Sequence, residues 1–345
     1  MIQVDQLSEV APSAPSHEIR NKFDEYGYIV VRGLFDPVDD LQPTIDEYAA
    51  VLDREARAWY AAGDLSSTYD DLPFEERMIK VMAETGDRLY DYFRIFLNPP
   101  SATKADTPLH YGPAIFDLLT NDKLLDVIEA IIGPEITVNP VNVVRVKPPE
   151  RYFPSDNDYH VGLTATWWHQ DQSVYSEDLT EIDMLTVWLP LTDADKDMGC
   201  LQVVPGSHKG DLSLHCAHKD PHRVGIPEMM LGPIRHYIET KIGDVHFHHR
   251  RLQHGSLRNL SDRLRFSFDL RYQPTDQAFG QSAGMPAQSM VPGFIARSPS
   301  NPEQEMRHWR EWADYQEAMR QQFMAIDWDN QHTVNQFVEE HRYCI

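Results

Sequence analysis

The feature that most restricts the fold of this chain is a series of short β-type segments in its middle, with no helical pattern between them. Polar and apolar residues alternate in several of these segments, and connections rich in Pro, Gly and Asp separate them. A parallel α/β sheet requires helices between its strands, so the pattern favours a β sandwich or barrel. The predicted strands span residues 136–146, 163–168, 183–189, 201–204, 244–248 and 263–273.

Helical patterns flank this β core, which covers about 136–273. Before it, a helix leads into a strand at 28–31 and then into a helical block over about 37–132. After it, Met, Trp and Phe recur at three- to four-residue spacing, which is typical of a helix that packs on a core. The predicted helices span 17–26, 44–60, 121–132 and about 303–325. Because no repeat or low-complexity linker divides the chain, we expect one domain over residues 1–345.

Charge and cysteine content restrict the partners and the location. Lys and Arg number 31 against 54 Asp and Glu, and the net charge of −23 repels nucleic acid. No segment reaches the roughly 18 apolar residues of a membrane span, so no membrane partner is expected. The odd number and wide spacing of the cysteines predict no disulfide framework and fit a reducing cytoplasm. These cysteines are Cys200, Cys216 and Cys344. The oligomeric state is not predicted.

The arginine-rich stretch between Arg250 and Arg271 contrasts with this acidic background. Its six arginines are accompanied only by Asp262 and Asp269, which makes the stretch locally +4. Two interpretations stand side by side: the arginines bind an anionic ligand, or they lie on a solvated face and pair with nearby carboxylates.

His169 and Asp171 form the most informative short motif, because they follow a predicted strand. Residues i and i+2 of an extended chain point to the same side, so the two side chains can reach one point. An imidazole and a carboxylate are two of the three ligands of the facial triad that binds Fe(II). A distant histidine is expected to complete it.

Other histidines compete for both parts of this motif. His218 and Asp220 have the same spacing, but Pro221 follows them and the surrounding composition predicts a surface loop. Four histidines near the end of the 244–248 strand are candidates for the third ligand, and two of them share one face and form a possible metal pair themselves. The four are His246, His248, His249 and His254, of which His246 and His248 share the face.

The residues after His254 set it apart, since His254-Gly255-Ser256 is followed by a turn and a strand that carries Arg265. Because these residues follow His254, the chain resembles the phytanoyl-CoA dioxygenase family of Fe(II)- and 2-oxoglutarate-dependent oxygenases over roughly 136–273. The resemblance rests on motifs in the same order and spacing. They are Lys147-Pro148-Pro149, His169-Gln170-Asp171, Val187-Trp188-Leu189-Pro190, Gly199-Cys200-Leu201, Pro205-Gly206-Ser207-His208-Lys209, Gly243-Asp244-Val245, His254-Gly255-Ser256 and Arg265.

The resemblance implies a fold, a reaction class and a set of site residues. The fold is a double-stranded β-helix, a jelly-roll or cupin-like barrel with flanking helices, and the co-substrates are 2-oxoglutarate and O2. Arg265, eleven residues after His254, is implied to pair with the distal carboxylate of 2-oxoglutarate, as a guanidinium fork does well. The implied Fe(II) ligands are His169, Asp171 and His254. The other implied co-substrate contacts are Ser256, Trp188 and Val143.

The strand that carries Arg265 allows a check that is independent of the family. From Arg263 to Tyr272, charged or polar residues alternate with Leu, Phe and Tyr, so one face is polar and the other apolar. A barrel interior that holds a charged co-substrate needs such a polar row. A solvent-exposed row has the same pattern.

The expected function is hydroxylation of an unactivated C–H bond in a small-molecule metabolite or natural-product intermediate, with release of succinate and CO2. The carboxylate of Asp171 argues against halogenation, because related halogenases have a small residue there. The alternative is a non-catalytic or cupin-type metal- or ligand-binding protein on the same barrel, and succinate formation distinguishes the two.

Overall fold

The computed structural model describes residues 6–96, 103–153, 163–174, 182–217, 224–277 and 293–325. The first elements of the described residues are strand β1 (Glu9–Val10), helix α1 (Ser16–Tyr26) and strand β2 (Tyr28–Val31). Helix α1 ends at Gly27, which has a left-handed backbone (φ 77°) and donates its N–H to the carbonyl of Phe23. The predicted helix and strand in this region are confirmed.

In the described part of the helical block, a π-helical turn (Pro37–Leu41) is followed by five α-helices, which cover one face of the main sheet. Their buried residues form one hydrophobic cluster with the apolar residues of that sheet. The predicted helices at 44–60 and 121–132 correspond to the second and sixth helices of the chain. The five are α2 (Gln42–Ala62), α3 (Phe74–Thr85), α4 (Arg88–Phe93), α5 (Pro113–Leu119) and α6 (Asp122–Ile132).

The main sheet has eight strands, and apart from the β1–β2 pair its strands are antiparallel. Besides β1 and β2 it contains β3 (Ile136–Val138), β4 (Val143–Lys147), β5 (Leu185–Pro190), β10 (Val245–His249), β12 (Arg265–Pro274) and β13 (Phe294–Arg297). The order is β1-β2-β10-β5-β12-β3-β13, with β4 beside β12. Strands β10, β5 and β12 are therefore neighbours in the middle of the sheet.

A second, three-stranded sheet packs against the main one. It contains β6 (Leu201–Val203), β9 (His236–Ile238) and β11 (His254–Ser256), in the order β11-β6-β9. A hydrophobic cluster joins the two sheets, with Trp188 of β5 packed among Leu201, Val203 and Ile238. A short hairpin of β7 (Cys216–Ala217) and β8 (Val224–Gly225) completes the strands of the described residues. The core is thus mainly β with flanking helices, as predicted.

Strand β12 separates the hydrophobic core from the polar interior. Phe266, Phe268, Leu270 and Tyr272 are fully buried on the side of the helices. The alternating residues Arg265, Ser267, Asp269 and Arg271 point to the other side; Arg265, Asp269 and Arg271 line a small cavity between the sheets. The polar row therefore lies in the interior and not in solvent.

Replacing Phe268 with alanine should lower the free energy of unfolding by about 3–5 kcal/mol, since a buried ring is lost and a cavity remains. Phe268 is fully buried and packs against the rings of Tyr48 and Phe266. Denaturant titration measures the change. The control is Leu260→Ala, at a residue that is 68% exposed, which should change stability by less than about 0.5 kcal/mol. A loss below about 1 kcal/mol at Phe268 would contradict this packing.

Three predicted elements differ from the structure. The strand predicted at 136–146 is split by Pro140 into β3 and β4, because proline cannot donate to a ladder. The final helix, α7 (Trp309–Met324), begins six residues later than predicted. The segment 163–168 forms no strand: Thr166 N–H donates to the side-chain oxygen of Ser256, and only His169 makes an isolated bridge to His254.

The cysteine prediction is also wrong at one position. Cys216 is disulfide-bonded, whereas Cys200 is a buried free thiol. Distance along the sequence does not limit a disulfide, which depends on how closely the fold brings two Cα atoms together. Among the helices of the described residues, none is long and apolar enough to cross a membrane.

Candidate metal centre

The structure brings His169, Asp171 and His254 together. His169 and His254 exchange two backbone hydrogen bonds, at 2.8 and 2.9 Å, which place their side chains next to each other. Asp171 lies at the start of a 3₁₀ turn (Asp171–Val174) directly after this bridge. One potential ligand atom from each residue lies within 4.8 Å of the other two, and the described part of the chain contains no other such group of three.

The reason for the convergence differs from the sequence argument. His169 and Asp171 do not lie on one regular strand, because the chain turns at Asp171. The turn still leaves Oδ1 of Asp171 3.5 Å from Nε2 of His169 and 3.9 Å from Nε2 of His254. The i, i+2 spacing therefore predicted that the two side chains converge. They do so through a turn and not along an extended strand.

Backbone carbonyls orient both imidazole rings. Nδ1 of His169 lies 2.8 Å from the carbonyl oxygen of Trp167, and Nδ1 of His254 lies 3.0 Å from that of Leu252. A carbonyl can only accept, so Nδ1 carries the proton in each neutral ring. The lone pair is then on Nε2, which points to Asp171.

Asp171 is a buried carboxylate with several polar neighbours. The hydroxyl of Thr186 donates to Oδ2 at 2.5 Å, and Arg271 donates from Nη2 to Oδ1 at 3.2 Å. Burial by itself would raise the pKa of Asp171, but the positive charge of Arg271 outweighs it and holds the pKa well below its usual value. Asp171 is therefore ionised at neutral pH.

Two imidazoles and one carboxylate fit Fe(II), because this set occupies one face of an octahedron and leaves positions for co-substrates. Burial, together with His169 and His248, lowers the pKa of His254 well below its usual value. His254 is thus neutral and able to bind a metal without first losing a proton.

Arg265 is fully buried in the same cavity, with 1% of its surface exposed. Its Nη1 donates to the carbonyl of Gly199 at 2.7 Å, whereas Nε has no hydrogen-bond partner and no carboxylate of the described residues forms an ion pair with the guanidinium. Burial lowers the pKa of Arg265 to about 10, which leaves it charged at neutral pH. A buried cation without a counter-ion is costly, so this position suits an anionic ligand.

The other predicted co-substrate contacts lie around Arg265 with one exception. The Trp188 ring lies 5.5 Å from the guanidinium, and its Nε1 has no partner. Oγ of Ser256 accepts from Nζ of Lys147 at 2.7 Å and lines the cavity with Trp188. Val143 pairs with Asp269 across β4 and β12 but is not among the cavity-lining residues.

Sequence reasoning assigned no role to several polar residues of this cavity. Burial, with Arg265 and Arg145, lowers the pKa of Lys147 well below its usual value. Arg145 forms an ion pair with Asp269 at 2.6 Å. The alternation of polar and apolar residues along β12 does predict that Asp269 shares a face with Arg265. The register that sets Lys147 opposite Arg265 is visible only in the structure.

Among the described residues, the other histidines that the sequence offered as metal ligands lie outside the group formed by His169, Asp171 and His254. His246 stacks on Tyr28, and the ring of His249 lies against His208. His248 is nearer the centre, but its Nε2 lies 3.4 Å from Oδ2 of Asp171, the oxygen that is not close to His169 and His254. The motif His218-Lys219-Asp220 lies outside the described residues.

The arginine-rich stretch combines both of its interpretations. Pairing with carboxylates holds for Arg250 with Asp183 (3.0 Å), Arg258 with Glu150 (2.5 Å) and Arg263 with Asp195. Arg271 pairs with the candidate ligand Asp171 (3.2 Å). Arg251 and Arg265 form no ion pair among the described residues, and of these two only Arg265 lines the cavity. The stretch is therefore partly a set of ion pairs and partly a candidate anion site.

Comparison with known proteins agrees with this geometry. The Phytanoyl-CoA dioxygenase (PhyH) family matches residues 23–267, a region that contains the three candidate ligands and Arg265. The chain belongs to the phytanoyl-CoA dioxygenase family. It is accordingly a 2-oxoglutarate-dependent non-haem iron oxygenase, which uses Fe(II), 2-oxoglutarate and O2.

Several known proteins align with most of this chain at low sequence identity. The chain is 27% identical over 266 residues to phytanoyl-CoA dioxygenase domain-containing protein 1 of Bos taurus, covering 72% of this chain and 86% of that protein. It is 24% identical over 316 residues to 1-deoxypentalenic acid 11-beta-hydroxylase of Streptomyces exfoliatus, covering 86% and 98%. A solved structure described as the non-heme monooxygenase ThoJ in its apo form has 16% identity, a TM-score of 0.50 and coverage of 93% and 99%. The predicted fold class is confirmed.

Proposed function

We propose that this oxygenase binds Fe(II) through His169, Asp171 and His254 and hydroxylates an unactivated C–H bond of a small-molecule metabolite or natural-product intermediate. The observation that carries the proposal is the triad of ligand atoms within 4.8 Å beside the buried Arg265, which lacks a carboxylate partner among the described residues. We further propose that the helices and both sheets act as one domain.

Arg265 binds and orients the co-substrate in this proposal. Its guanidinium supplies charge-assisted hydrogen bonds to the distal carboxylate of 2-oxoglutarate, while the Trp188 ring forms a wall that excludes water. Ser256, held by Lys147, offers its hydroxyl to the same ligand. Val143 is a weaker candidate, because it shares the sheet face but does not line the cavity.

Fe(II), when bound with 2-oxoglutarate and O2, supplies the oxidant for the C–H bond, with succinate and CO2 as products. The protein keeps the two imidazole rings fixed through Trp167 and Leu252 and keeps Asp171 ionised. The presence of Asp171 favours hydroxylation over halogenation, because a halide would need the position that the carboxylate takes.

A small-molecule substrate is supported by the name of the Streptomyces exfoliatus relative, which describes a hydroxylase of 1-deoxypentalenic acid. That relative and this chain align over almost the whole of the relative. The net charge of −23 argues against a polyanionic substrate unless local cations compensate for it.

The purified protein with Fe(II), 2-oxoglutarate and O2 should form succinate and consume oxygen, and a panel of metabolites should contain compounds that increase both rates. Removing the metal with a chelator should abolish succinate formation, and re-adding Fe(II) should restore it. Succinate is measured by mass spectrometry, and the oxidised product shows whether oxygen was inserted. If no panel member increases succinate and 2-oxoglutarate nevertheless binds, the non-catalytic alternative gains support.

A further inference from the structure

The two oxygens of Asp171 have different surroundings. Oδ1 is the one near Nε2 of His169 (3.5 Å) and Nε2 of His254 (3.9 Å). A single ion held by all three residues would draw these atoms only slightly closer together, since metal–ligand bonds are about 2.0–2.2 Å long. Oδ2 instead accepts the hydroxyl hydrogen of Thr186 at 2.5 Å. Oδ1 is therefore the oxygen that would face an ion held by the two histidines.

The residues that contact Asp171 from the sheet form a row across three strands. Thr186 of β5 pairs in register with His248 of β10 on one side and with Arg271 of β12 on the other. Paired residues share a face of the sheet, and all three residues are buried, with at most 6% of their surface exposed. Nε2 of His248 lies 3.4 Å from Oδ2 of Asp171, and Nη2 of Arg271 lies 3.2 Å from Oδ1. Thr186 is the centre of the row.

We propose that Thr186 is a positioning residue which holds Oδ2 of Asp171, so that the carboxylate binds the metal through Oδ1 alone, with His248 and Arg271 supporting it from the neighbouring strands. The inference rests on the proposed function, since it takes Asp171 as a metal ligand. Thr186 acts through Asp171.

The consequence concerns the number of open positions on the metal. If His169, His254 and one oxygen of Asp171 held the metal, its remaining positions would be free for 2-oxoglutarate and O2. A carboxylate bound through both oxygens would take one of them. Thr186 prevents this because a hydrogen bond to Oδ2 ties that oxygen to the sheet, and residues that orient ligands in this way affect metal affinity as well as activity.

The test is metal affinity, measured without turnover. Isothermal titration of the metal-free protein with Mn²⁺, a divalent ion that does not start the reaction, should give a Kd for Thr186→Val roughly 10-fold or more above that of the wild type. Valine keeps the β-branched shape of threonine and removes only the hydroxyl. Thr186→Ser, which retains the hydroxyl, should bring the Kd back to within about 3-fold of the wild-type value.

Thr240 provides the matched control, because it is a buried threonine (4% exposed) of the same chain whose hydroxyl has no hydrogen-bond partner among the described residues and which does not line the cavity. Thr240→Val should leave the Kd for Mn²⁺ unchanged. If Thr186→Val does not fold, as judged by circular dichroism, Thr186→Ala replaces it. The proposal is overturned if the folded variant without the hydroxyl binds Mn²⁺ as tightly as the wild type.

A second variant separates this proposal from the one on which it rests. If Asp171→Ala also binds Mn²⁺ normally, then the triad is not the metal site and the proposed function fails with the positioning role. If Asp171→Ala loses Mn²⁺ but Thr186→Val and Thr186→Ala retain it, only the positioning role fails. Weak binding in both Asp171→Ala and Thr186→Val, with rescue by serine, supports both.

Discussion

Replacing Asp171 with alanine is expected to reduce Mn²⁺ and Fe(II) affinity by more than about 100-fold and to abolish 2-oxoglutarate turnover. Losing a residue that only orients a ligand already costs about 10- to 100-fold, and Asp171 supplies the sole carboxylate of the triad. Its removal also leaves Arg271 without the carboxylate that it contacts at 3.2 Å. Mn²⁺ titration and succinate formation with added Fe(II) measure the two effects.

Asp314→Ala is the control for this variant, because Asp314 is an exposed aspartate on helix α7. It should bind Mn²⁺ and form succinate as the wild type does. Circular dichroism of both variants separates lost metal binding from lost folding. Normal succinate formation by Asp171→Ala would be incompatible with the triad, and His248, the nearest unused histidine, would then be the next residue to replace.

The three residues of the triad could be predicted because two of them are close in sequence and the third is followed by a distinctive motif. His169 and Asp171 are two residues apart, and His254 is marked by Gly255, Ser256 and the later Arg265. Such signals survive errors in secondary structure: the segment 163–168 was predicted as a strand and is not one, yet the bridge between His169 and His254 brings the ligands together.

The support of the triad was not predictable, since it depends on which strands are neighbours. Thr186, His248 and Arg271 lie far apart along the sequence and meet only because β5 pairs with both β10 and β12. Alternation placed Arg271 on the polar face of its strand but did not show whether that face was inside. Register between distant strands is set by the packing of the whole sheet, which a single sequence does not encode in any short motif.

The same limit applies to Lys147, which was recognised only as part of a Lys-Pro-Pro motif. In the structure it is opposite Arg265, and its Nζ donates to Ser256 and to the carbonyl of Leu257, both at 2.7 Å. A buried lysine is normally unfavourable unless its donors are satisfied. Its two acceptors come from the segment around β11, which no local pattern connects to β4.

Replacing Arg265 with lysine should raise the KM for 2-oxoglutarate by roughly 30-fold, about 2 kcal/mol, and leave the Kd for Mn²⁺ within about 3-fold of the wild type. Lysine keeps the positive charge but cannot form two parallel hydrogen bonds to a carboxylate. Arg265→Ala should raise the KM further, by roughly 150-fold or about 3 kcal/mol, because the charge is lost as well. Succinate formation at increasing 2-oxoglutarate concentration gives KM and kcat separately.

The separation of KM from kcat is what identifies the role of Arg265. A residue that only anchors the remote carboxylate should affect KM most, so kcat of Arg265→Lys should recover at saturating 2-oxoglutarate. Arg263→Lys is the matched control, because Arg263 lies two residues earlier, pairs with Asp195 and is half exposed outside the cavity. Equal KM values for Arg265→Lys and Arg263→Lys, with both proteins folded, would remove Arg265 from the co-substrate site. A raised KM with unchanged Mn²⁺ affinity would instead assign the buried guanidinium to 2-oxoglutarate and the triad to the metal.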